Sequence, residues 1–395
     1  MLIQNVVPIG FPDMTPQPLD IVLAEGRVVS TSPTGHAAAA DARIIDGDGA
    51  FLSPGWIDLH AHVWHGGTDI SIRPSLAGLA RGVTTIVDAG SAGEANFAGF
   101  REFIIEPAPE RILAFLNVGS IGLVACNRVS ELPDHRAIDF DRIAAVIAAN
   151  RDIIIGLKVR ASHTITGSWG ITPVRLAKKL ARIHRLPLMV HVGEPPPLYD
   201  EVLEVLDPGD IVTHCFNGKP GSSIVEDETL FALVESCAAK GVLLDVGHGG
   251  ASFSMKVAAA AIARGLLPNT ISTDLHLRSI HRPVWDLATT MSKLLAAGMP
   301  FERVIAAVTA VPAAILRQPE ARLEPGAPSN FTLFTRGATP SLNVIDSNGD
   351  RATLSDIIDP RFAILGETVV PASRYVPASV PCPHCGTALP GFSCT

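Results

Sequence analysis

The chain has 395 residues, 47% of them hydrophobic, and a formal net charge of −8. That length supports one large barrel or two to three domains, and an acidic balance with no basic block favours neither nucleic acid nor an anionic membrane as partner. No apolar run is long enough to cross a bilayer, and the N-terminus lacks a basic start followed by a long apolar stretch, so neither a membrane span nor a signal peptide is expected.

Residues 2–53 hold strand-like fragments at 21–24, 27–30 and 42–46, separated by Gly, Asp and Pro. From 54 to 322, short β-branched runs alternate with Ala- and Leu-rich stretches. Eight runs read as strands: the one ending at His62, then 83–88, 112–118, 153–159, 188–192, 211–215, 242–246 and 270–274. Helix-like segments fall between them at 143–150, 173–184, 228–240, 255–264 and 284–297, the last with Ser279 or Pro283 suited to its start. Continuously apolar strands alternating with helices predict a parallel sheet covered on both faces, and eight such units predict a closed α/β architecture, the (β/α)8 TIM-type barrel. An open doubly wound sheet would not explain polar residues at the C-terminal ends of so many strands. Strand-like fragments return at 330–334, 343–346 and 362–365. The flanks, 1–53 and 323–379, therefore read as two halves of one small β-sandwich around a barrel of residues 54–322.

The last stretch, 380–395, is Pro- and Gly-rich and is expected to be a loosely held tail. Cys382-Pro-His-Cys385 with Cys394 supplies four soft ligands there, but Cys-x2-Cys is half a structural zinc site and a second spaced pair is missing. Cys126, Cys215 and Cys237 are scattered through strand- and helix-like segments, which suits free thiols in a reducing cytoplasm.

The chemistry is written at the strand ends. His60 and His62, Lys158, His191, His214 and Asp274 each close an apolar run, as in Gly-Trp-Ile-Asp-Leu-His60-Ala-His62, Leu-Met-Val-His191 and Thr-Ile-Ser-Thr-Asp274. Side chains alternate along a strand, so His60 and His62 project to the same side. In a barrel all six converge on one mouth. His60, His62 and Asp274 would hold one divalent ion, and His191 with His214 a second. An ammonium cannot ligate a cation. Lys158 is therefore either an ion-pair partner or, after its neutral amine captures carbon dioxide, a carbamate whose two oxygens bridge both metals. Two ions about 3.5–4 Å apart lower the pKa of a shared water from ~16 towards ~7. Asp274 would take the remaining proton as general base and return it to the leaving group.

This pattern resembles the amidohydrolase superfamily, from Phe-Leu-Ser-Pro-Gly-Trp-Ile-Asp-Leu-His60-Ala-His62 to Glu324-Pro-Gly-Ala-Pro-Ser-Asn-Phe-Thr-Leu-Phe334. The resemblance implies a distorted (β/α)8 barrel with a flanking β-sandwich, and all six positions match the subtype with two zinc ions bridged by a carboxylated lysine. Trp64-His65-Gly-Gly-Thr-Asp69, Asp88-Ala-Gly-Ser-Ala-Gly-Glu94-Ala-Asn96, Gly156-Leu-Lys158-Val-Arg160-Ala-Ser162 and Asp245-Val-Gly-His248 look like the dihydroorotase-like amidohydrolase/deacetylase branch. That branch implies hydrolysis of acetyl esters of 2-hydroxy acids, such as acetyl-(R)-mandelate, or of N-acyl amino acids. Cyclic amide hydrolysis, of the dihydroorotase or hydantoinase type, uses the same cage. A non-catalytic scaffold would show lost ligands, and none is lost.

Dihydroorotase proper carries an arginine two residues after its His-x-His, where this chain has Trp64. Arg160, on the same strand face as Lys158, is the expected replacement, because a guanidinium grips a carboxylate bidentately. Its alternative is an ion pair inside the barrel wall. His248 and His276 are further substrate-contact candidates, and the segment 275–281 departs most from the pattern of close relatives. His65, His163 and His184 read as structural or exposed, and Asn217 as a turn residue. The expected partner is a small molecule, with a homo-oligomer as the usual state of such barrels.

Overall fold

The computed structural model describes residues 1–37, 43–126, 128–338 and 340–377. Seven of the eight apolar runs form one parallel sheet in chain order: Trp56–Ala61, Val83–Ala89, Arg111–Asn117, Ile154–Ala161, Leu188–Val192, Ile211–Thr213 and Leu243–Asp245. Every residue of Trp56–Ala61 and Val83–Ala89 is buried, so these strands are covered on both faces. That is why they read as unbroken apolar runs rather than as alternating ones.

The eighth run behaves differently. Residues 270–274 form no strand, but they are bonded to both edges of the curled sheet. Thr270 bridges Asp245 and Leu275 bridges Ala61. Val246 N donates to Thr270 O at 3.1 Å, and Asp274 N donates to His60 O at 2.6 Å. Between these points the ladder is interrupted, because the Asp58 carboxylate accepts from Thr273 N (3.0 Å) and Thr273 Oγ1 (2.6 Å). Asp274 itself has φ +47°, a left-handed conformation that cannot continue a strand.

Helices cross over between the strands at Phe140–Ala149, Thr172–His184, Tyr199–Val205, Glu228–Ala239, Met255–Ala263 and Leu287–Ala296. Short polar side chains start several of them: Asp139 accepts from Arg142 N at 3.0 Å and Asp227 from Thr229 N at 2.8 Å. Leu287–Ala296 is capped by Asp286, which accepts from Thr289 N at 2.7 Å. Neither Ser279 nor Pro283 does so, because the chain makes further turns before the helix begins.

Both flanks enter a single eight-stranded sheet. Its order is Thr368–Pro371, Ile357–Leu365, Asn330–Gly337, Phe51–Pro54, Leu2–Pro8, Leu19–Ala24, Arg27–Pro33, with Ile44–Asp46 paired to the first half of Leu2–Pro8. Leu342–Ile345 and Arg351–Leu354 form a separate hairpin. The large sheet has its own core of Ile3, Ile21, Leu52, Phe331 and Ile364. It meets the parallel sheet through Phe51, Trp56, Phe301 and Phe334, whose rings lie 5.2–5.6 Å apart in neighbouring pairs. Among the described residues, no helix is long and apolar enough to cross a membrane. Cys126, Cys215 and Cys237 are buried. Cys382, Cys385 and Cys394 lie outside the described residues.

Candidate metal centre

The C-terminal ends of the parallel strands open into a cavity of about 480 Å³ whose wall includes His60, His62, Lys158, His191, His214 and Asp274. All six of these residues are thus brought together. The ligating atoms of His60, His62 and Asp274 lie within 4.8 Å of one another. On the other side, the His191 and His214 rings are 4.4 Å apart at 81°, and His214 is 5.3 Å from His60. Lys158 Nζ stands between, 3.3 Å from His60 Nε2 and 3.4 Å from Met189 Sδ.

Second-layer partners fix which ring nitrogen carries the proton. Thr213 Oγ1 donates its hydrogen to Asp245 Oδ2 at 2.7 Å, so at 2.9 Å it must accept from His60 Nδ1. Ser91 Oγ likewise donates to Asp88 Oδ2 (2.8 Å) and accepts from His62 Nδ1 (2.9 Å). His214 Nδ1 donates to the Gly247 carbonyl at 2.6 Å. In each neutral ring the lone pair is therefore on Nε2, and it faces the cavity.

This leaves acceptors facing acceptors. Asp274 Oδ1 is 3.4 Å from His60 Nε2 and 3.1 Å from His62 Nε2, and His214 Nε2 is buried with no hydrogen-bond partner among the described residues. A cation between them resolves the conflict. Protons are disfavoured in that role: burial, then Lys158 nearby, holds His60 well below the usual imidazole range, and burial brings His214 down to about 3. Burial, with His214 alongside, likewise lowers His191. The donor set, imidazole nitrogens plus one carboxylate, fits a divalent transition metal. Burial also lowers Lys158 to about 7, where a neutral amine is accessible. Gly90, at φ +88°, gives that lysine its room: a Cβ there would come within 2.8 Å of Lys158 Cβ and Cγ. Two of the proposed ligands, His214 (φ +70°) and Asp274 (φ +47°), have left-handed backbones. This is the kind of local strain that persists only where the surroundings enforce it.

The substrate-contact candidates fare unevenly. Arg160 reaches the cavity wall, but one edge of its fork already grips Glu131, with Nε to Oε1 at 2.6 Å and Nη2 to Oε2 at 2.7 Å. Glu131 is itself 1% exposed, so the pair is a buried ion pair of the wall. His248 is not brought to the cavity. It is fully buried behind it, with Nε2 2.8 Å from Lys293 Nζ, and Lys293 also donates to Pro283 O and Ile345 O at 2.8 Å. His276 does line the cavity, 6.4 Å from His62 between ring centroids. Trp64 is buried against Phe100, ring centroids 5.7 Å apart.

Sequence reasoning passed over the second layer: Asp88 with Ser91, Asp245 with Thr213, Asp58 with Thr273, and Glu131. A signal was present for Asp88 and Asp245, since each closes an apolar run as the ligands do. Ser91, Thr213 and Glu131 carry no such mark.

No family model matches the chain. It is 61% identical over 379 residues to a deacetylase of Agrobacterium fabrum, covering 95% of this chain and 93% of that protein. A crystal structure described as a dihydroorotase superposes with a TM-score of 0.91 at 59% identity, covering 95% of this chain and 99% of the other. One described as an adenine deaminase superposes at 0.84 with 32% identity, covering 94% and 99%.

Proposed function

The chain belongs to the amidohydrolase superfamily, alongside its deacetylases, and from that premise we propose that it hydrolyses an ester or amide, an acetyl group above all, from a small carboxylated substrate. The observation that carries this reading is the ring of inward lone pairs on His60, His62 and His214 facing the Asp274 carboxylate. His60, His62 and Asp274 would hold one zinc ion, His191 and His214 the other, and carboxylated Lys158 would bridge them. Metal bound there would contribute Lewis acidity, making a water easier to deprotonate and an acyl carbonyl more electrophilic.

The chain's own part is positioning and proton transfer. Asp274 turns Oδ1 toward the two histidines and Oδ2 toward Gly249, where an added Cβ would come within 2.3 Å of that oxygen. Oδ2 is thus the atom available to take a proton from the attacking water and hand it to the leaving oxygen or nitrogen. Asp245 and Asp88, through Thr213 and Ser91, hold the imidazoles in the ligating tautomer. We read residues 270–274 as the eighth stave that closes the barrel, residues 54–322 as the hydrolase domain, and the sheet of 1–53 with 323–379 as the small sandwich beside it.

A second reading, cyclic amide hydrolysis, is favoured by the likeness to the structure described as a dihydroorotase. Against it, the position two residues beyond His62 is Trp64, which packs in the core rather than facing the cavity. The zinc-loaded protein assayed against O-acetyl hydroxy acids, N-acetyl amino acids and cyclic ureides decides between them. Turnover of the acetylated acids, abolished by chelation, is expected. Turnover of ureides alone would establish the second reading, and no stoichiometric metal would overturn both.

A further inference from the structure

Four cationic side chains line the cavity: Lys158, Arg160, Lys219 and Arg278. Three are already spent. Lys158 is a proposed metal bridge, Arg160 is clamped to buried Glu131, and Lys219 Nζ is 2.7 Å from Glu194, whose other oxygen accepts from Ser162 at 2.6 Å. Arg278 differs. Its Nη2 lies 3.6 Å from Asp69 Oδ2 and 3.5 Å from Cys126 O, and among the described residues no shorter bond holds the guanidinium. Asp69 is otherwise satisfied, by Arg128 (Nη2 3.0 Å, Nε 3.1 Å) on one oxygen and Cys126 N (3.0 Å) on the other. The carboxylate thus keeps Arg278 nearby without consuming its fork.

Two further features sit beside it. Arg278 N donates to His276 Nδ1 at 3.1 Å, which places the proton of the neutral His276 ring on Nε2 as a second donor at the cavity wall. Ile70, Leu123 and Cys126 form a small apolar cluster on the same wall. We propose that Arg278 is the side chain that anchors the anionic group of the substrate, with Ile70, Leu123 and Cys126 packing the carbon skeleton next to it, so that selectivity for an acid over its neutral amide resides in this one residue. This rests on the hydrolase reading above. A carboxylate accepts two parallel N–H bonds from a guanidinium edge, and binding would exclude water from a group that is 48% exposed without ligand.

The test is calorimetric binding of 2-hydroxy-4-methylpentanoate and its carboxamide to metal-loaded wild type, Arg278→Met and Arg278→Lys. Wild type should prefer the acid by about tenfold or more, the worth of one charge-assisted contact. Arg278→Met should lose that preference, and Arg278→Lys should keep part of it. A preference that survives in Arg278→Met, as for a carboxylate held by metal or by Arg160, overturns the proposal, as does its absence from wild type. Hydrolysis of the O-acetyl ester of the same acid is measured alongside. Its absence would remove the hydrolase reading, while the binding ratio still decides the role of Arg278.

Discussion

The floor of the cavity and its rim are built by opposite means. On the floor, each of three imidazoles is held by a partner from a neighbouring strand or loop, and the carboxylates behind them, Asp88 and Asp245, are wholly buried and accept bonds from several donors. At the rim, Lys219 and Arg278 hang on partly exposed carboxylates of loops. The floor can hold charge in place before anything binds, which is what an electrostatic catalyst needs. The rim can be rewritten residue by residue without disturbing the floor.

That contrast can be broken most directly at its deepest point. Asp274→Asn should lower kcat by about 10²–10⁴-fold, the range of a lost general acid–base; steady-state rates within tenfold of wild type would take the proton from this residue. Next comes the wall. Arg160→Met strands buried Glu131 and should cost about 3–5 kcal/mol in denaturant unfolding, with Arg160→Met/Glu131→Gln recovering most of it. An unaltered midpoint in the single variant would mean that the pair does not serve the wall.

A milder change probes the second layer. Thr213→Val keeps the volume but removes the link between His60 and Asp245, and metal affinity measured by chelator competition should fall about 10–100-fold. Equal affinity would mean that strand geometry alone orients His60. The smallest effect belongs to the rim. Burial acts to raise the Glu194 carboxyl, but Lys219 and Ser162 outweigh it and bring the group down to about 2. With the folded value below the unfolded one, the contribution is present above the ordinary 4.5 and is lost as pH falls towards 2. Thermal melts of wild type and Lys219→Met should therefore converge across that window, with a gap above it under about 1 kcal/mol that shrinks with salt. A gap that does not change with pH would assign Lys219 to packing.

The parts of the fold legible beforehand are those with a period. The run at 188–192 matches its strand residue for residue, and the helix expected at 173–184 is Thr172–His184. The runs at 211–215 and 242–246 shorten to Ile211–Thr213 and Leu243–Asp245; in the first, His214 at φ +70° has already left the strand conformation. Strands at Leu2–Pro8, Phe51–Pro54 and Thr368–Pro371 carried too little alternation to be read, because pairing partners far along the chain decide them. In the site, residue type and strand-end position pointed to six side chains that the fold does gather at one cavity. They gave no hint of the partners of Arg160 and His248, Glu131 and Lys293, which come from distant segments. Spacing along one strand gives direction, but not what already occupies the space ahead.

The pairing of Phe51–Pro54 with Asn330–Gly337, where Phe331 opposes Pro54 and Phe334 opposes Phe51, also dictates a schedule. Ribosomes add ~5–20 residues per second, so the early strand waits on the order of 15–60 s for its mate. Through that interval Ile3, Ile21 and Leu52, fully buried in the finished molecule, belong to a sheet with an open edge, the kind of surface on which chains aggregate. Slower elongation after the first fifty residues lengthens that exposure, and chaperone demand should peak before the second half of the sheet is made.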